Sequence, residues 1–408
     1  MKTYLIVGKK FSGLSEYILS QGHDYLLLRD KIGAKNPEKK LKRRILVDFS
    51  NIKEIIHTVR KLDMEFAGVI STYENYILPT AIIAQNIGLP GIPINSAEAC
   101  TDKELMRQLF SKAESTISPS FNVVKSEHDL IDFTNQHGFP VILKPANLAK
   151  SILVTKSNNI SELLEQYRFA TNNIQAIYKK YAPDRQPKLI IEEFLEGSIH
   201  SVDAFIDTRG TITVLDQIVD YQSGHDIGYD DNFHYSRTLP SKLSDDDQTS
   251  LKECAEMGIR ALKMKSSAAH VEVIMTKDGP RIVEIGARNG GYRERMHRLA
   301  NNIDIPAATL SISEGGNVDI RATKNEPCAV LELFPMNKGV FKSVKNLDIL
   351  EKLESIKYIK TKYQPGETIG KSSQGYKAVL IIIIHNSNLD QFNKDLAYIN
   401  DNVEILIK

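Results

Sequence analysis

Residues 1–95 alternate short apolar runs with stretches whose apolar positions recur every three or four residues. The runs Tyr4–Val7, Tyr25–Leu28, Ile45–Val47 and Gly68–Ile70 read as strands, and Leu14–Gln21, Ile52–Lys61 and Leu78–Ile87 as helices. Such alternation predicts a small parallel sheet covered by helices. Leu89-Pro90-Gly91-Ile92-Pro93 is dense in turn residues and marks a boundary. Beyond it, helices are predicted to open at Ser96 and Thr101, with further helices at 127–137, 160–181 and 245–262. Strands are predicted around Phe121–Val124, Val141–Lys144 and Leu189–Glu192, then antiparallel at Ser201–Asp207 and Thr211–Asp220. A polar loop is expected over 221–238, and a final segment, 328–408, mixes strands with two short helices and reads as a separate lid.

One hairpin carries more than pattern. Val271–Met275 and Arg281–Ile285 are apolar, β-branched runs flanking Asp278-Gly279, a strong turn signal. A three-residue loop with Gly279 left-handed would pair Thr276 with Pro280 and so set Glu272 opposite Glu284 on one face. Like charges directly opposite destabilise a ribbon, so a cation between them is one reading and a solvated face the other. Two hard oxygen donors with room for water suit magnesium.

Composition narrows the classes. The chain has 408 residues, room for two to four domains at roughly 100–200 residues each. Its 52 basic and 51 acidic side chains, net +1, imply neither a nucleic-acid nor a membrane partner. No apolar run approaches the ~20 residues that span a bilayer, and the chain enters a strand directly at Tyr4, without the order of a signal peptide. Cys100, Cys254 and Cys328 show no metal spacing, and the ten histidines none for zinc, so a reducing cytoplasmic setting is expected. Gly8 to Gly13 lacks the Gly-x-Gly-x-x-Gly spacing of a dinucleotide fingerprint, which argues against a nicotinamide cofactor.

After Glu284 comes Ile285-Gly286-Ala287-Arg288-Asn289-Gly290-Gly291: a guanidinium four residues past a carboxylate, then glycines where amides can approach an anion. Gly138-Phe139-Pro140-Val141-Ile142-Leu143-Lys144-Pro145 ends a strand on a lysine, and Ile190 to Gly197 reads Ile-Ile-Glu-Glu-Phe-Leu-Glu-Gly. Together these segments resemble the ATP-grasp superfamily. Gly286, standing where the family pattern also has Asn, looks most like the L-amino-acid ligases that form dipeptides. The resemblance is firm over 100–300 and looser at 1–95 and 328–408, where Tyr363-Gln364-Pro365-Gly366 is similar to ligase C-terminal domains.

The resemblance implies an α/β, ATP-grasp fold: a pre-ATP-grasp domain at 1–95, an ATP-grasp domain at 96–325 with a hinge near 190–197, and a lid at 326–408. It implies ATP-dependent ligation of a small-molecule carboxylate to an amine through an acyl-phosphate, with ATP and Mg2+ (or Mn2+). Glu272 and Glu284 would hold the metal. Lys103, Lys144, Ser151, Glu192, Glu193, Phe194, Leu195 and Asp203 would bind ATP. Arg288 would be catalytic and, with Asn289, Gly290, Gly291 and His234, would face substrate. A homodimer is compatible with the family. One departure stands out: Ala146 to Val154, where the family has a glycine-rich cover, contains no glycine. That departure keeps a nucleotide-binding protein without ligase activity as a rival, and an enzyme of purine or carboxylation metabolism is the other.

Overall fold

The computed structural model describes residues 1–31, 43–113, 115–148, 152–182 and 185–408. Strands β1 (Thr3–Val7), β2 (Asp24–Asp30), β3 (Arg44–Val47) and β4 (Gly68–Ile70) pair in parallel in the order β3-β2-β1-β4. Their apolar faces are buried on both sides, Leu5 and Val7 on one and Tyr4 and Ile6 on the other. Near-continuous apolar strands between covering helices are what a parallel sheet requires.

A second sheet is antiparallel, with β5 (Phe121–Val124), β6 (Val141–Pro145), β7 (Thr155–Ser157) and β8 (Leu189–Glu193) in the order β5-β8-β6-β7. Helices Glu127–His137 and Ile160–Tyr181 bury Leu130, Phe133, Leu163 and Tyr178 against it. The first helix starts at a capping box made by Ser126 and Asp129.

The remaining strands are β9 (Ser198–Ile206), β10 (Ile212–Val214), β11 (Val219–Ser223), β12 (His234–Leu239), β13 (Ser267–Thr276) and β14 (Gly279–Gly286). They are followed by β15 (Cys328–Leu333), β16 (Gly339–Val344), β17 (Ile356–Thr361), β18 (Thr368–Ile369), β19 (Leu380–His385) and β20 (Ile405–Ile407). A nine-stranded sheet runs β14-β13-β9-β11-β12-β15-β19-β17, with β10 on β9.

Two expectations change here. The polar loop expected at 221–238 is shorter, confined to 224–233 between β11 and β12, because Tyr221, Tyr235 and Leu239 pack on the core around Leu331 and Ile382. The segment 328–408, expected as a lid, shares the nine-stranded sheet: β15 pairs with β12 over Cys328–Leu331. Only β18-β16-β20 stands apart. All three cysteines are buried and free, and no helix among the described residues is long and apolar enough to cross a membrane.

Candidate active site

The β13–β14 hairpin sets Glu272 opposite Glu284, though not through the expected loop. Thr276 pairs with Gly279, not Pro280, which alone would shift the register by one. A β-bulge restores it: Val283 is the extra residue between the Ile282 and Glu284 pairings. The bulge is held in place by Arg107, whose Nη2 donates to the Val283 carbonyl at 2.6 Å.

The two carboxylates have cationic neighbours that the sequence pattern did not reveal. Lys103, the first residue of helix Lys103–Ala113, lies 2.7 Å from Glu284 Oε2. That lysine holds the Glu284 carboxyl below the usual range, against burial and against Glu272. Burial would raise Glu272, but His270 outweighs it and keeps that carboxyl low as well. His270 Nε2 is 3.5 Å from Glu272 Oε1, and its Nδ1 is 2.8 Å from Asp203 Oδ1. Burial disfavours the imidazolium, yet Asp203 pulls its pKa up to about 10.

Asp203 itself faces inward. Its oxygens take His270, Arg293 Nε at 2.8 Å and the Gly290 amide at 3.3 Å, and it does not line the cleft. The structure therefore places Asp203, expected to bind ATP, behind His270 and Glu272 and off the cleft lining. Gly290 is needed at that point because a Cβ there would sit 2.6 Å from His270 Nδ1.

Glu192 lines the cleft with its carboxylate shared between two cations, Arg107 at 2.9 Å and Lys144 at 2.5 Å. Burial raises its pKa, but the two cations outweigh that and lower it. Burial lowers Lys144 to about 8, with Glu192 resisting. Of the hinge amides, Glu193 N donates to Ser120 O and Phe194 N to Pro140 O. The Leu195 N–H, like those of Glu196 and Gly197, has no protein acceptor among the described residues. The Lys156 ammonium stands 3.8 Å from the Phe194 ring centre.

These groups border one cleft of about 1990 Å³. Lys103, Lys144, Glu192, Glu193, Phe194, Leu195, His234, Glu272, Glu284, Arg288, Asn289, Gly290 and Gly291 all line it. Ser151 lies outside the described residues. His234 is nearly buried, and its pKa drops to about 4, so it is a neutral imidazole and not an exposed loop side chain. Arg288 donates from Nε to Glu74 Oε2 at 3.0 Å, across from the first sheet. Glu74 has room because residue 286 is glycine: a Cβ there would be 3.1 Å from Glu74 Oε2.

Sequence reasoning missed Glu74 and Arg107. A signal existed for Arg107, which follows Lys103 by four residues on one helix face. Nothing local marks Glu74.

Glu272 and Glu284 pass the test for a hard divalent cation. They are opposed on one face, both held low in pKa and open to the cleft, and only two carboxylates are supplied, as magnesium shared with phosphates needs. Among the described residues no cluster of three or more His, Cys, Asp or Glu offers a full protein cage.

Paired carboxylates on two sheet strands, with Lys103 and Lys144 on the same cleft, agree with what the ATP-grasp resemblance implies. Residues 137–294 match the ATP-grasp domain family, and this chain carries that domain. It is similar to the L-amino acid ligase from Bacillus licheniformis, with a TM-score of 0.83 at 17% identity over 100% of this chain and 99% of that one. Phosphoribosylglycinamide synthetase from Anaerococcus prevotii follows the same fold, with a TM-score of 0.72 at 20% identity over 100% of both chains. In sequence, alanine–anticapsin ligase of Bacillus subtilis is 27% identical over 70% of this chain and 63% of its own length. An uncharacterised protein, y4rH, of Sinorhizobium fredii is 21% identical over 79% of this chain and 65% of that protein. The chain thus spans less than two thirds of these curated relatives.

Proposed function

We propose that the protein is an ATP-dependent ligase that joins a small carboxylic acid to an amine, releasing ADP and phosphate, with amino acids as the substrate class. The observation that carries this is the convergence of Glu272, Glu284, Lys103 and Arg288 on one cleft wall, with Lys144 facing them. Glu272 and Glu284 would hold magnesium, which would supply positive charge to offset that on the transferring phosphoryl group. Lys103 and Lys144 are already desolvated at the ends of rigid elements, so they hold phosphates with little reorganisation. Arg288 presents a planar fork toward charge developing on the acyl-phosphate, and Glu74 orients it from its Nε side. His270, fixed by Asp203, orients Glu272. The names of the similar ligases support amino-acid substrates.

A phosphate-release screen with ATP, Mg2+ and pairwise L-amino acids tests the reading. Release should require both partners and form one new amide per ADP. Arg288→Lys should lower kcat about a hundredfold, since a point charge cannot reproduce the fork. AMP and pyrophosphate as products would exclude the acyl-phosphate route.

A further inference from the structure

One guanidinium on the cleft wall has no part in that scheme. Pairing links Glu272 to Ser201, Ser201 to Val219, and Tyr221, two residues on, to Arg237, which places Arg237 on the same face as the metal carboxylates. Three strand spacings, about 14 Å, separate their rows. Arg237 lines the cleft with its side chain only 14% exposed. Its Nη1 edge is anchored, donating to Glu332 Oε2 at 3.0 Å. Its plane is confined between two rings, 5.6 Å from Tyr221 and 5.4 Å from Tyr292. Tyr292 in turn donates to Glu332 Oε1 at 2.7 Å. It does so from a left-handed backbone (φ 64°), a conformation that non-glycine residues rarely adopt.

What remains is the Nε–Nη2 edge, which has no acceptor among the described residues. That is the edge with which a guanidinium grips a carboxylate in two parallel hydrogen bonds. Arg237 and Glu332 cancel each other in charge, and Lys377, unpaired among the described residues, lines the same cleft.

We propose that the amine substrate carries a second, non-reacting carboxylate, and that Arg237 binds it through its Nε–Nη2 edge. The inference rests on the ligase reading above. In that reading the carboxylate that reacts belongs beside Glu272, Glu284 and Arg288, under the phosphates. Arg237 lies at the β12–β15 side of the sheet, away from the nucleotide, which is where the second substrate must enter. The carboxylate it receives is then one that survives in the product.

The test compares each common L-amino acid with its own carboxamide as the amine, using whichever acid supports phosphate release. Wild type should favour the free carboxylate by about thirtyfold or more in kcat/KM. Arg237→Met should raise KM for the carboxylate form about a hundredfold, with kcat within threefold, and leave the carboxamide KM unchanged. Arg237→Lys, which keeps the charge without the fork, should recover part of the loss. Equal losses for the two forms would make the arginine structural and overturn the proposal, as would a wild type that takes carboxamides equally well. A KM change confined to the acid substrate would overturn it too, moving Arg237 to the other partner. If Arg237→Met does not fold, the same acid-to-amide ratio measured with Arg237→Lys decides. Failure of every amine to stimulate phosphate release would instead overturn the ligase reading itself.

Discussion

The two ends of the cleft are built from different materials. Beneath the nucleotide, Arg107, Glu192 and Lys144 form a cluster with side chains 0, 5 and 7% exposed, tied into a helix and two sheets. At the other end, Arg237 and Glu332 are 14 and 21% exposed, framed by tyrosine rings and by a segment reaching over from residues 371–377. Breaking one member of a buried cluster strands its partners, which costs about 3–5 kcal/mol. The nucleotide end is consequently hard to alter. The substrate end rests on side chains from β11, β12, β15 and a loop, each replaceable with modest cost to the fold. Chemistry shared by many ligases belongs in the first setting and choice of substrate in the second.

The sharpest break of this contrast lies at Glu284. Glu284→Gln should reduce turnover by about a thousandfold or more, since one of two metal oxygens loses its charge. Opposed like charges alone would predict a more stable apo protein. The ion pair to Lys103 reverses that expectation: the variant should lose about 1–2 kcal/mol, discounted because Glu284 is 29% exposed. The sign follows from linkage. Glu284 is held below its usual value by Lys103, so its contribution is present above the unfolded carboxyl pKa of about 4.3 and is lost as pH falls. The Tm gap between wild type and Glu284→Gln, measured from pH 7 to 3, should therefore close at the acid end. A variant as stable as wild type at pH 7 would show that Lys103 does not stabilise the free protein.

Much of this architecture was legible in the chain, and the failures share one cause. Lys103, Lys144, Glu272, Glu284 and Arg288 sit at the ends of locally recognisable elements, and the structure brings them to one cleft. Asp203 and Glu192 have the right residue type in the right strand, but their partners, Arg293 and Arg107, are 90 and 85 residues away. Which way a strand's carboxylate is satisfied is decided by those distant cations, not by local spacing. The same holds for Glu332, which meets Arg237 only because β15 pairs with β12. The hairpin register shows the limit from the other side: the loop is one residue shorter than the three predicted, and a bulge that no local signal marks puts Glu272 back opposite Glu284.

A gentler probe is pH. Burial brings Lys144 down to about 8, so in the free protein its ammonium is fully present at pH 7 and lost as pH rises through that value. Because the folded value lies below the unfolded one, the cost of burying the charge is complete below pH 8. It fades toward the unfolded pKa of about 10.4, so stability from this group rises with pH while phosphate binding falls. The kcat/KM for ATP, which reports the free enzyme, should fall about tenfold between pH 8 and 9.5. In Lys144→Met it should be lower throughout, and that limb should vanish. A wild-type profile flat to pH 9.5 would mean that Glu192 keeps the lysine charged.

The smallest effect should appear at the substrate end alone. Asp231 is buried between β11 and β12, and its carboxylate accepts from Ser372 N at 2.6 Å and Ser373 N at 3.1 Å. It therefore caps the turn Ser372–Gln374, whose neighbours Tyr376 and Lys377 line the cleft. Replacing a cap of this kind by alanine costs about 0.5–2 kcal/mol. Spread over one short segment, that should speed amide exchange at 372–377 roughly tenfold without unfolding the sheet. Asp231→Ala should accordingly raise the KM of the acid or amine a few-fold while leaving the KM for ATP within twofold. Among the described residues the cluster shares no hydrogen bond with this turn, which approaches that half of the cleft only at Tyr181, beside Gly375. Were the KM for ATP to rise as much as that of the other substrates, the two ends would be one cooperative unit, and the division drawn between them would fail.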